Sequence, residues 1–509
     1  MTATIEPSME TTEGPRPTFD SLNPATGDVV GTHPIDGKAE VDAAVAAARE
    51  ASAWWRDLGF DGRKEYLLQW RSVLTRRLGQ LSDQVHREGG KPHGDALLEA
   101  GLAIDHIAWA AKSAGKVLGR HKVGTGLLMS NQTAYVEYKP LGVIGVIGPW
   151  NYPTFTPMGS IAYALAAGNA VVFKPSEYTP GVGRFLVDTF TEVVHGRPVL
   201  NLVTGLGETG NHLCTAAVDK IAFTGSAATG KKVMAACAEN LTPVVIEAGG
   251  KDSLIVDEDA DLQSAAEAAL WAGMSNAGQT CIGTERVYVH EKVFDPFMAE
   301  LLKQAEGIRP GYDDGGVYGP ATMPKQLDVI RSHIDDALAR GGQAVLGGAG
   351  AVGDKYVQPT ILTHVPEDSL AVTEETFGPT LVVNPVKDMD EAVELTNATK
   401  YGLAGAVFGK KRALDVAGRI RSGMTSVNSV ISFAAIPGLP FGGVGDSGFG
   451  RIHGPDGLRE FTYPKAITKQ RMKPVLMLQS LTRDEKTESR FQQILTVMHG
   501  GSSTLPKKR

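Results

Sequence analysis

The chain has 509 residues, of which 42% are hydrophobic and 21% charged, with a formal net charge of −7 at pH 7. At roughly 150 residues per domain this length predicts two or three globular domains, and the negative charge disfavours a nucleic-acid surface. Three cysteines without metal-ligand spacing, no signal-peptide pattern and no membrane-length apolar run predict a cytoplasmic protein without structural zinc or a membrane partner.

The N-terminal third is predicted to be mostly helical. Residues 1–16 are rich in Thr, Glu and Pro, which predicts a disordered lead-in. Apolar residues at helical spacing then predict helices over Ala39–Trp55, Arg63–Leu78 and Leu97–Leu118. Strict alternation over Thr133–Tyr138 predicts a half-exposed strand.

From Leu141 onward, short β-rich runs alternate with helical segments. The first set of alternating strands and helices comprises Val143–Ile147, Phe155–Ala167, Ala170–Phe173, Val182–Val194, Val199–Val203, Glu208–Cys214, Lys220–Thr224, Thr229–Ala238 and Pro243–Ile246. The second set has strands at Leu254–Val256, Glu285–His290, Thr380–Val386, Ala404–Phe408 and Met424–Val427. This alternation predicts an α/β protein with two doubly wound parallel sheets.

The end of the chain is predicted to return to simpler structure. Thr462–Lys469 is predicted to form a strand that pairs with Thr133–Tyr138. Phe491, Ile494, Leu495 and Met498 mark an amphipathic helix, for which packing on the protein surface is favoured over a membrane contact.

Three glycine-rich segments resemble phosphate-binding loops. Gly205–Gly210 fits the dinucleotide pattern but lacks the acidic residue expected about 20 positions later, and Gly443–Gly448 follows no clear strand. Both are therefore interpreted as turns. Gly225–Lys232 is nearly a P-loop, but Lys232 replaces the hydroxyl that holds Mg²⁺, which disfavours ATP hydrolysis. Its helix start suits either a pyrophosphate or a structural cap.

Cys281 and Glu247 are the candidate catalytic pair. Cys281 is a lone cysteine in a loop of small residues, where a thiolate nucleophile has room to meet a carbonyl. Glu247 ends an apolar run, so desolvation is expected to raise its pKa and to make it a general base. Cys214 and Cys237 lie in helical segments and fit a structural role.

Seven segments, in order, resemble the aldehyde dehydrogenase superfamily, whose members oxidise aldehydes to carboxylates with NAD or NADP. They are Gly148–Pro153 (GPWNYP), Phe173–Glu177 (FKPSE), Phe223–Ser226 (FTGS), Glu247–Lys251 (EAGGK), Asn276–Cys281 (NAGQTC), Glu374–Pro379 (EETFGP) and Pro440–Gly443 (PFGG). Ala248 and Thr376 depart from the usual pattern and bear on the shape of the pocket rather than on the chemistry.

The resemblance implies a role for each catalytic residue. Cys281 attacks the aldehyde carbonyl, and its backbone N–H forms an oxyanion hole with the side-chain amide of Asn151. Glu247 activates the water that hydrolyses the thioester.

It also implies a set of cofactor contacts. Lys174 and Glu177 bind the adenosine ribose, Gly225 and Ser226 receive the pyrophosphate with Gly230 in the same group, and Glu375 and Phe377 hold the nicotinamide riboside. Trp150 lines the cleft in which the cofactor is expected to bind. A carboxylate at Glu177 repels a 2′-phosphate, so we expect NAD, with NADP as the alternative. No histidine shows a ligand context, so no metal is expected.

By resemblance, residues 17–121 and 141–248 form a Rossmann-like NAD-binding domain, and residues 249–455 form the catalytic domain. Residues 122–140 and 456–475 form a small β-ribbon oligomerisation element, and residues 476–509 are a C-terminal tail. A homodimer or homotetramer is expected.

The sequence leaves the substrate open. The segment after Ile452 resembles members that act on medium- or long-chain aliphatic or aromatic aldehydes, whereas no arginine near the motifs supports an acidic semialdehyde. The alternatives are a semialdehyde dehydrogenase and a CoA-acylating enzyme, although the latter usually lacks an acid at Glu247. A non-enzymatic descendant of the fold is disfavoured because Cys281, Glu247 and Asn151 are all present.

Overall fold

A computed structural model describes residues 16–474 and 476–501 of the chain. Residues 1–15 of the predicted lead-in lie outside the described residues. The chain divides into two compact units, the first formed by Met1–Leu118 and Lys139–Tyr463 and the second by Gly119–Tyr138 and Pro464–Arg509.

The helices and strands alternate along most of the chain. The helices are α1 (Lys38–Asp57), α2 (Gly59–Arg76), α3 (Leu78–Gly89), α4 (His93–Leu118), α5 (Phe155–Ala167), α6 (Pro180–Val193), α7 (Gly207–Thr215), α8 (Ala227–Ala238), α9 (Leu262–Met274), α10 (Phe294–Ala305), α11 (Gln326–Ala339), α12 (Leu370–Thr373), α13 (Met389–Asn397), α14 (Ala413–Arg419), α15 (Gly454–Glu460) and α16 (Glu485–His499). The strands are β1 (Thr18–Leu22), β2 (Val29–Pro34), β3 (His121–Val123), β4 (Gln132–Pro140), β5 (Val143–Ile147), β6 (Ala170–Lys174), β7 (Leu200–Leu202), β8 (Lys220–Gly225), β9 (Val244–Ala248), β10 (Asp252–Val256), β11 (Thr284–His290), β12 (Gln343–Leu346), β13 (Thr360–Thr363), β14 (Thr380–Val386), β15 (Ala404–Phe408), β16 (Met424–Val427), β17 (Gly448–Phe449) and β18 (Thr462–Gln470).

A six-stranded sheet has the strand order β17-β9-β8-β5-β6-β7. It carries the first set of loops that contain the predicted site residues. Its strands pair in parallel, except that β17 runs antiparallel to β9. All five residues of β6 are buried, as expected for a parallel strand covered on both faces. Helix α5 ends at Gly168, whose φ of 107° suits the left-handed end of a helix.

A seven-stranded sheet in the order β12-β13-β14-β11-β10-β15-β16 carries the second set of loops. It is parallel apart from the edge strand β12. Strands β10, β11 and β15 are buried along their whole length. The predicted α/β class with two doubly wound parallel sheets is therefore confirmed.

The predicted element bounds agree closely where the sequence pattern was strong. The bounds of β5, α5, β14, β15 and β16 match the prediction residue for residue. Other elements were not predicted at all, among them the antiparallel pair β1–β2, helix α3 and strand β12.

The second unit contains a three-stranded sheet in the order β18-β4-β3. The predicted strands Thr133–Tyr138 and Thr462–Lys469 are thus neighbours, and Asn131 and Arg471 extend the contact by a backbone hydrogen bond of 2.9 Å. Helix α16 has no buried residue. In the part of the chain that the structure describes, no helix has the length and apolarity to cross a membrane. The domain bounds given above, including the oligomerisation element, stay predictions.

Candidate active site

Asn151 lies in the tight turn between β5 and α5. Its side-chain Nδ2 donates to the carbonyl oxygen of Gln279 at 3.0 Å, and the residue is almost fully buried. An amide nitrogen carries two protons, so the second proton of Nδ2 is available to another acceptor. Because Gln279 is only two residues before Cys281, this bond fixes the amide of Asn151 beside the cysteine loop.

The loop that carries Cys281 has an unusual backbone. Asn276, Ala277 and Gly278 follow α9 with φ values of 52°, 56° and 69°, a left-handed run that costs energy for residues with a side chain. A Cβ atom at Gly278 would lie 2.0 Å from the carbonyl oxygen of Gly378, so only glycine fits there. The run turns the chain sharply before β11 and leaves Cys281 partly exposed.

Glu247 lies near the end of β9, where it is buried and pairs in register with Thr224 and Gly448. Neither carboxylate oxygen has a hydrogen-bond partner among the described residues. Burial raises the pKa of Glu247 to about 8, and the nearby Cys281 thiol opposes this only in part. Burial and the charge of Glu247 raise the pKa of Cys281 well above its usual range.

We expect the exchange Glu247→Gln to stabilise the fold, and increasingly so as the pH rises. The unfolded carboxyl ionises near its ordinary pKa of 4.5, whereas the folded one retains its proton until about pH 8. Between these values the folded state binds more protons, so rising pH destabilises it. The destabilisation amounts to roughly 5 kcal/mol above pH 8, and glutamine does not incur it. Thermal unfolding midpoints of both proteins between pH 5 and 9 test this.

The matched control for that measurement is Glu50→Gln, at an exposed position of α1. A stability gain for Glu247→Gln that is the same at pH 5 and pH 9 would contradict the raised pKa.

Cys281 lies between two cavities of the first unit. It lines a narrow tunnel with about 650 Å³ of open space. It also lines a recess of about 540 Å³ together with Asn151, Glu247 and Glu375. That recess shares Trp150, Gly225 and Ser226 with a larger cleft of about 1450 Å³. The thiol is thus reached from both sides.

The large cleft contains most of the residues predicted to bind the cofactor. Trp150, Lys174, Glu177, Gly225 and Ser226 line it. Burial lowers the pKa of Lys174, whose Nζ donates to the carbonyl of Pro175 at 3.0 Å. Gly230, Glu375 and Phe377 are not among the residues that line this cleft. A Cβ atom at Gly230 would lie 3.2 Å from Ile246 of β9.

The start of helix α8 shows how the cleft suits a dinucleotide. Ser226 caps this 12-residue helix by accepting a hydrogen bond from the backbone N–H of Thr229 at 3.3 Å. The remaining N–H groups of the first turn of a helix are donors of the kind that bind phosphates. The glycines of the segment Gly205–Gly210 contribute too, since Gly207 and Gly210 line the same cleft.

Glu375 and Phe377 line the recess that also contains Cys281 and Glu247. Glu375 accepts a hydrogen bond from the backbone N–H of Gly250 at 3.0 Å. It lies so close that a Cβ atom at Gly249 would be 1.9 Å from its Oε1. Burial and the neighbouring Glu285 raise the pKa of Glu375 to about 8. Phe377 packs edge-on against Trp150, with ring centroids 5.6 Å apart.

A buried ion pair fixes the loop that carries Glu375 and Phe377. Lys251 pairs with Glu285 and donates to the hydroxyl of Thr376 at 3.1 Å. Glu285 accepts from the backbone N–H groups of Thr376 and Phe377 at 2.8 Å and 2.9 Å. Thr376, which departs from the family pattern, therefore helps to hold the loop that carries Glu375 and Phe377 in place.

The tunnel on the other side of Cys281 is apolar. Its wall is formed chiefly by Leu98, Leu102, Phe155, Trp271, Ile282, Ile431, Ala434 and Phe441. No lysine, arginine or histidine belongs to the described residues that line it. Asp95 lies among them, and burial raises the pKa of its carboxyl. Nothing in the wall compensates a negative charge on a substrate.

Sequence reasoning missed the pair Lys91 and Glu99, which supports the Asn151 turn. Lys91 Nζ donates to the Asn151 carbonyl at 2.9 Å and to Glu99 at 2.5 Å, and it lies over the ring of Tyr152. Glu99 also accepts from the backbone N–H groups of Thr154 and Phe155 at the start of α5. Both residues lie more than 50 positions before the turn that they contact, so no local pattern marks them.

His106 was missed as well and supports the tunnel wall. Its Nε2 lies 3.1 Å from the carbonyl oxygen of Ala434, and its Nδ1 lies 3.1 Å from the hydroxyl of Tyr163. Burial lowers the pKa of His106 to about 4, so the ring is neutral at pH 7. The bond to Ala434 holds the loop that carries two wall residues, Ile431 and Ala434 itself.

Comparison with known proteins places these features in a family. The sequence model of the "Aldehyde dehydrogenase family" matches residues 11–467. The chain is 36% identical to the 4,4'-diapolycopene aldehyde oxidase of Methylomonas sp., over 88% of this chain and 85% of that protein. It is 37% identical to the 2-hydroxymuconic semialdehyde dehydrogenase of Pseudomonas putida, over 88% of this chain and 95% of that protein.

The fold agrees with a solved structure as well. The NAD-dependent aldehyde dehydrogenase from Sinorhizobium meliloti superposes with a TM-score of 0.86 and 32% sequence identity. The match covers 91% of this chain and 93% of that one.

Proposed function

Because this chain belongs to the aldehyde dehydrogenase family, we propose that it oxidises an aldehyde to its carboxylic acid, with NAD as the oxidant. The observation that carries the proposal is the position of Cys281, which lines both the apolar tunnel and the recess that contains Glu247. An aldehyde in the tunnel and a nicotinamide cofactor in the cleft would therefore meet at one sulfur atom.

In the first step the thiol of Cys281 adds to the aldehyde carbon. The thiol gives up its proton to the carboxylate of Glu247, which is near enough for each group to shift the pKa of the other. The carbonyl oxygen becomes an alkoxide, which the free proton of Asn151 Nδ2 and the Cys281 backbone N–H stabilise. Fixed donors of this kind are typically worth about 10²–10³ in rate each.

The tetrahedral adduct then loses a hydride and becomes a thioester of Cys281. Bound NAD supplies the hydride acceptor for this step. Glu247 passes the proton from the thiol to solvent before the last step. In that step its carboxylate removes a proton from water, whose oxygen attacks the thioester carbon. The proton then returns to the leaving thiolate of Cys281, and the carboxylic acid is released. The Glu247 pKa of about 8 makes it a stronger base than an ordinary carboxylate.

We expect Glu177 to select NAD over NADP. It lines the cleft beside Lys174, and Lys232 lies in the same lining. A carboxylate there accepts hydrogen bonds from ribose hydroxyls and repels a 2′-phosphate. In Glu177→Gln the ratio of kcat/KM for NADP to that for NAD should rise at least about tenfold. This is the effect expected from removing one repulsive pair of charges near a protein surface. Initial rates with each cofactor measure this.

Glu208→Gln is the control, since Glu208 is exposed in α7 and does not line the cleft. An unchanged cofactor ratio in Glu177→Gln would remove Glu177 from the selection.

The substrate that the tunnel supports best is an uncharged apolar aldehyde of medium or long chain, or an aromatic one. Its wall is aliphatic and aromatic, and Leu98 and Trp271 at the wall remain about half exposed. The Methylomonas relative is named for the aldehyde of 4,4'-diapolycopene, which agrees with this substrate class.

A series of straight-chain aldehydes tests the substrate. Each added CH₂ buried in the tunnel contributes about 0.8 kcal/mol, so kcat/KM should rise about fourfold per carbon from propanal until the tunnel is filled. Succinic semialdehyde should react at least about 100-fold less efficiently than hexanal, because its carboxylate is desolvated without a partner. Leu102→Arg should narrow that gap, whereas Leu97→Arg, on the same helix but outside the tunnel, should not.

The semialdehyde alternative rests on the Pseudomonas putida relative, which is named for 2-hydroxymuconic semialdehyde. A higher kcat/KM for succinic semialdehyde than for hexanal would favour it. The CoA-acylating alternative predicts that CoA is required for turnover and that an acyl-CoA forms. The same aldehyde panel, run with and without CoA, separates these activities, and no NADH from any aldehyde would favour a non-enzymatic protein.

The cytoplasmic location and the assembly are also proposals. The ribbon of β4 and β18 supports a homodimer or homotetramer, because an exposed sheet edge can pair with another chain. Light scattering coupled to size-exclusion chromatography gives the mass of the assembly directly.

A further inference from the structure

We propose that His333 of α11, acting through the hydroxyl of Thr376, positions the loop 374–379 for the nicotinamide end of the cofactor. This inference rests on the proposed use of NAD, for which Glu375 and Phe377 of that loop are the expected contacts. His333 Nδ1 lies 3.0 Å from Thr376 Oγ1. Both side chains are buried, and neither lines the recess on the cofactor side of the catalytic thiol. His333 is thus a positioning residue that acts on the cofactor only through the loop.

The loop 374–379 needs support because part of its backbone is strained. Phe377 has a φ of 52°, in the left-handed region that a residue with a side chain rarely adopts. Such a conformation costs energy and persists only where the surrounding contacts determine it. Each contact that fixes Thr376 therefore also helps to fix its two neighbours, Glu375 and Phe377.

One face of α11 supplies three contacts to this loop. Gln326, Ile330 and His333 are four and three residues apart, which places them on the same side of the helix. Gln326 Nε2 donates to the carbonyl oxygen of Thr376 at 2.7 Å. A Cβ atom at Gly378 would lie 2.5 Å from the side chain of Ile330, so the helix and the loop are in close contact there. Of the three, His333 is the residue that holds a polar side chain of the loop.

The hydrogen bonds of Thr376 determine which nitrogen of His333 carries the proton. Lys251 Nζ is a donor and lies 3.1 Å from the Thr376 hydroxyl, so the hydroxyl oxygen accepts that bond. The hydroxyl proton then needs an acceptor, and among the described residues His333 Nδ1 is the other partner of this hydroxyl. Nδ1 is therefore unprotonated, and the ring carries its proton on Nε2. A proton on Nδ1 would leave the buried hydroxyl proton without an acceptor, which is costly.

The surroundings of the ring agree with this neutral form. Burial, and after it the positive charge of Lys251, lower the pKa of His333. The acids that oppose this shift are Glu285, Glu374 and Asp336. Because Lys251 also pairs with Glu285 of β11, one chain of polar contacts ties the loop to both β11 and α11.

Calorimetric titration of the full chain with NAD tests the inference. Thr376→Val keeps the shape of the side chain but removes the hydroxyl, and His333→Leu removes the acceptor. Each exchange should weaken NAD binding about three- to tenfold, because the loop then spends part of its time out of position. The double variant should bind NAD no more weakly than Thr376→Val alone, since His333 acts only through that hydroxyl.

Three controls separate positioning from a general loss of structure. His333→Asn retains an acceptor oxygen near the place of Nδ1, so it should recover most of the NAD affinity that His333→Leu loses. Thr373→Val removes a hydroxyl that donates to the carbonyl of Ser369, outside the loop, and should bind NAD like the parent. ADP, which lacks the nicotinamide riboside, should bind equally well to every variant.

The outcomes distinguish this inference from the proposed function. If the parent binds NAD, then unchanged affinity in Thr376→Val, or an equal loss of ADP and NAD affinity, would overturn the inference and leave the proposed function standing. A failure of His333→Asn to recover NAD affinity would also overturn it, because the ring would then act by its shape alone. A parent that does not bind NAD would overturn the inference and the proposed function together.

Discussion

Replacing Cys281 with serine should reduce steady-state NADH formation by at least about 10³-fold, while leaving the fold and cofactor binding intact. The serine hydroxyl is a far weaker nucleophile than a thiolate, and the proposed base, Glu247, with a pKa of about 8, is too weak to ionise it. The thioester would not form, and no hydride would leave the substrate. Stopped-flow absorbance of NADH, together with mass spectrometry of the quenched enzyme, measures both the rate and the covalent adduct.

Cys237→Ser is the control for this substitution. Cys237 is buried in α8, outside the residues that line the tunnel or the recess. We expect it to keep its turnover and to show an acyl adduct on Cys281. Appreciable turnover in Cys281→Ser, or an adduct trapped on another residue, would refute the covalent mechanism.

Replacing Glu247 with glutamine should separate the two halves of the reaction. Hydrolysis of the thioester needs a base for water, and loss of a general base typically costs about 10²–10⁴ in rate. Because Glu247 is also the proposed acceptor of the Cys281 proton, the thiol of the variant loses its proton to solvent and the first half should be slower than in the parent. One NADH per active site should nevertheless form in a burst, followed by a much slower steady state. In the unmodified enzyme, the hydrolysis rate should rise with pH and level off above about pH 8, where Glu247 is ionised.

Hydroxylamine offers a rescue, because it attacks a thioester without a base and should restore turnover in Glu247→Gln. The matched control is Glu375→Gln. Glu375 is buried at the same cleft, and its pKa is also raised to about 8, but it is proposed to hold the cofactor. It should raise the KM for NAD without producing a burst. A Glu247→Gln enzyme with no burst would show that solvent cannot replace Glu247 as the acceptor of the Cys281 proton, and would contradict the separation of the two halves.

The sequence predicted the parts of the fold that local patterns determine. Strands such as β5 and β15 are continuous apolar runs, and α5 is closed by the glycine at 168, so their ends follow from composition. The strand β17 has only two residues, and its pairing with β9 depends on how distant segments pack. No periodicity exists in so short an element, and it could not be predicted.

The same division applies to the candidate site. Motif residues such as Cys281 and Asn151 could be proposed from the sequence because each lies in a distinctive turn. Lys91 and His106 lie in no such motif. Each contacts a buried backbone carbonyl, of Asn151 and Ala434 respectively, that is more than 50 residues away in the chain. Gly230 differs from both groups, because its place in a glycine motif suggested the cofactor whereas a Cβ atom there would meet Ile246; its role stays a prediction.

The position of Cys281 as a shared wall has a kinetic consequence. An acyl group attached to this sulfur would occupy the tunnel, whereas the cofactor would occupy the opposite cleft. Spent NADH can then depart and be exchanged while the acyl group is still attached, since neither molecule crosses the route of the other. Because Glu247 lines the recess on the cofactor side, we expect NADH to move out of that recess before water reaches the thioester, and therefore before the acid is released.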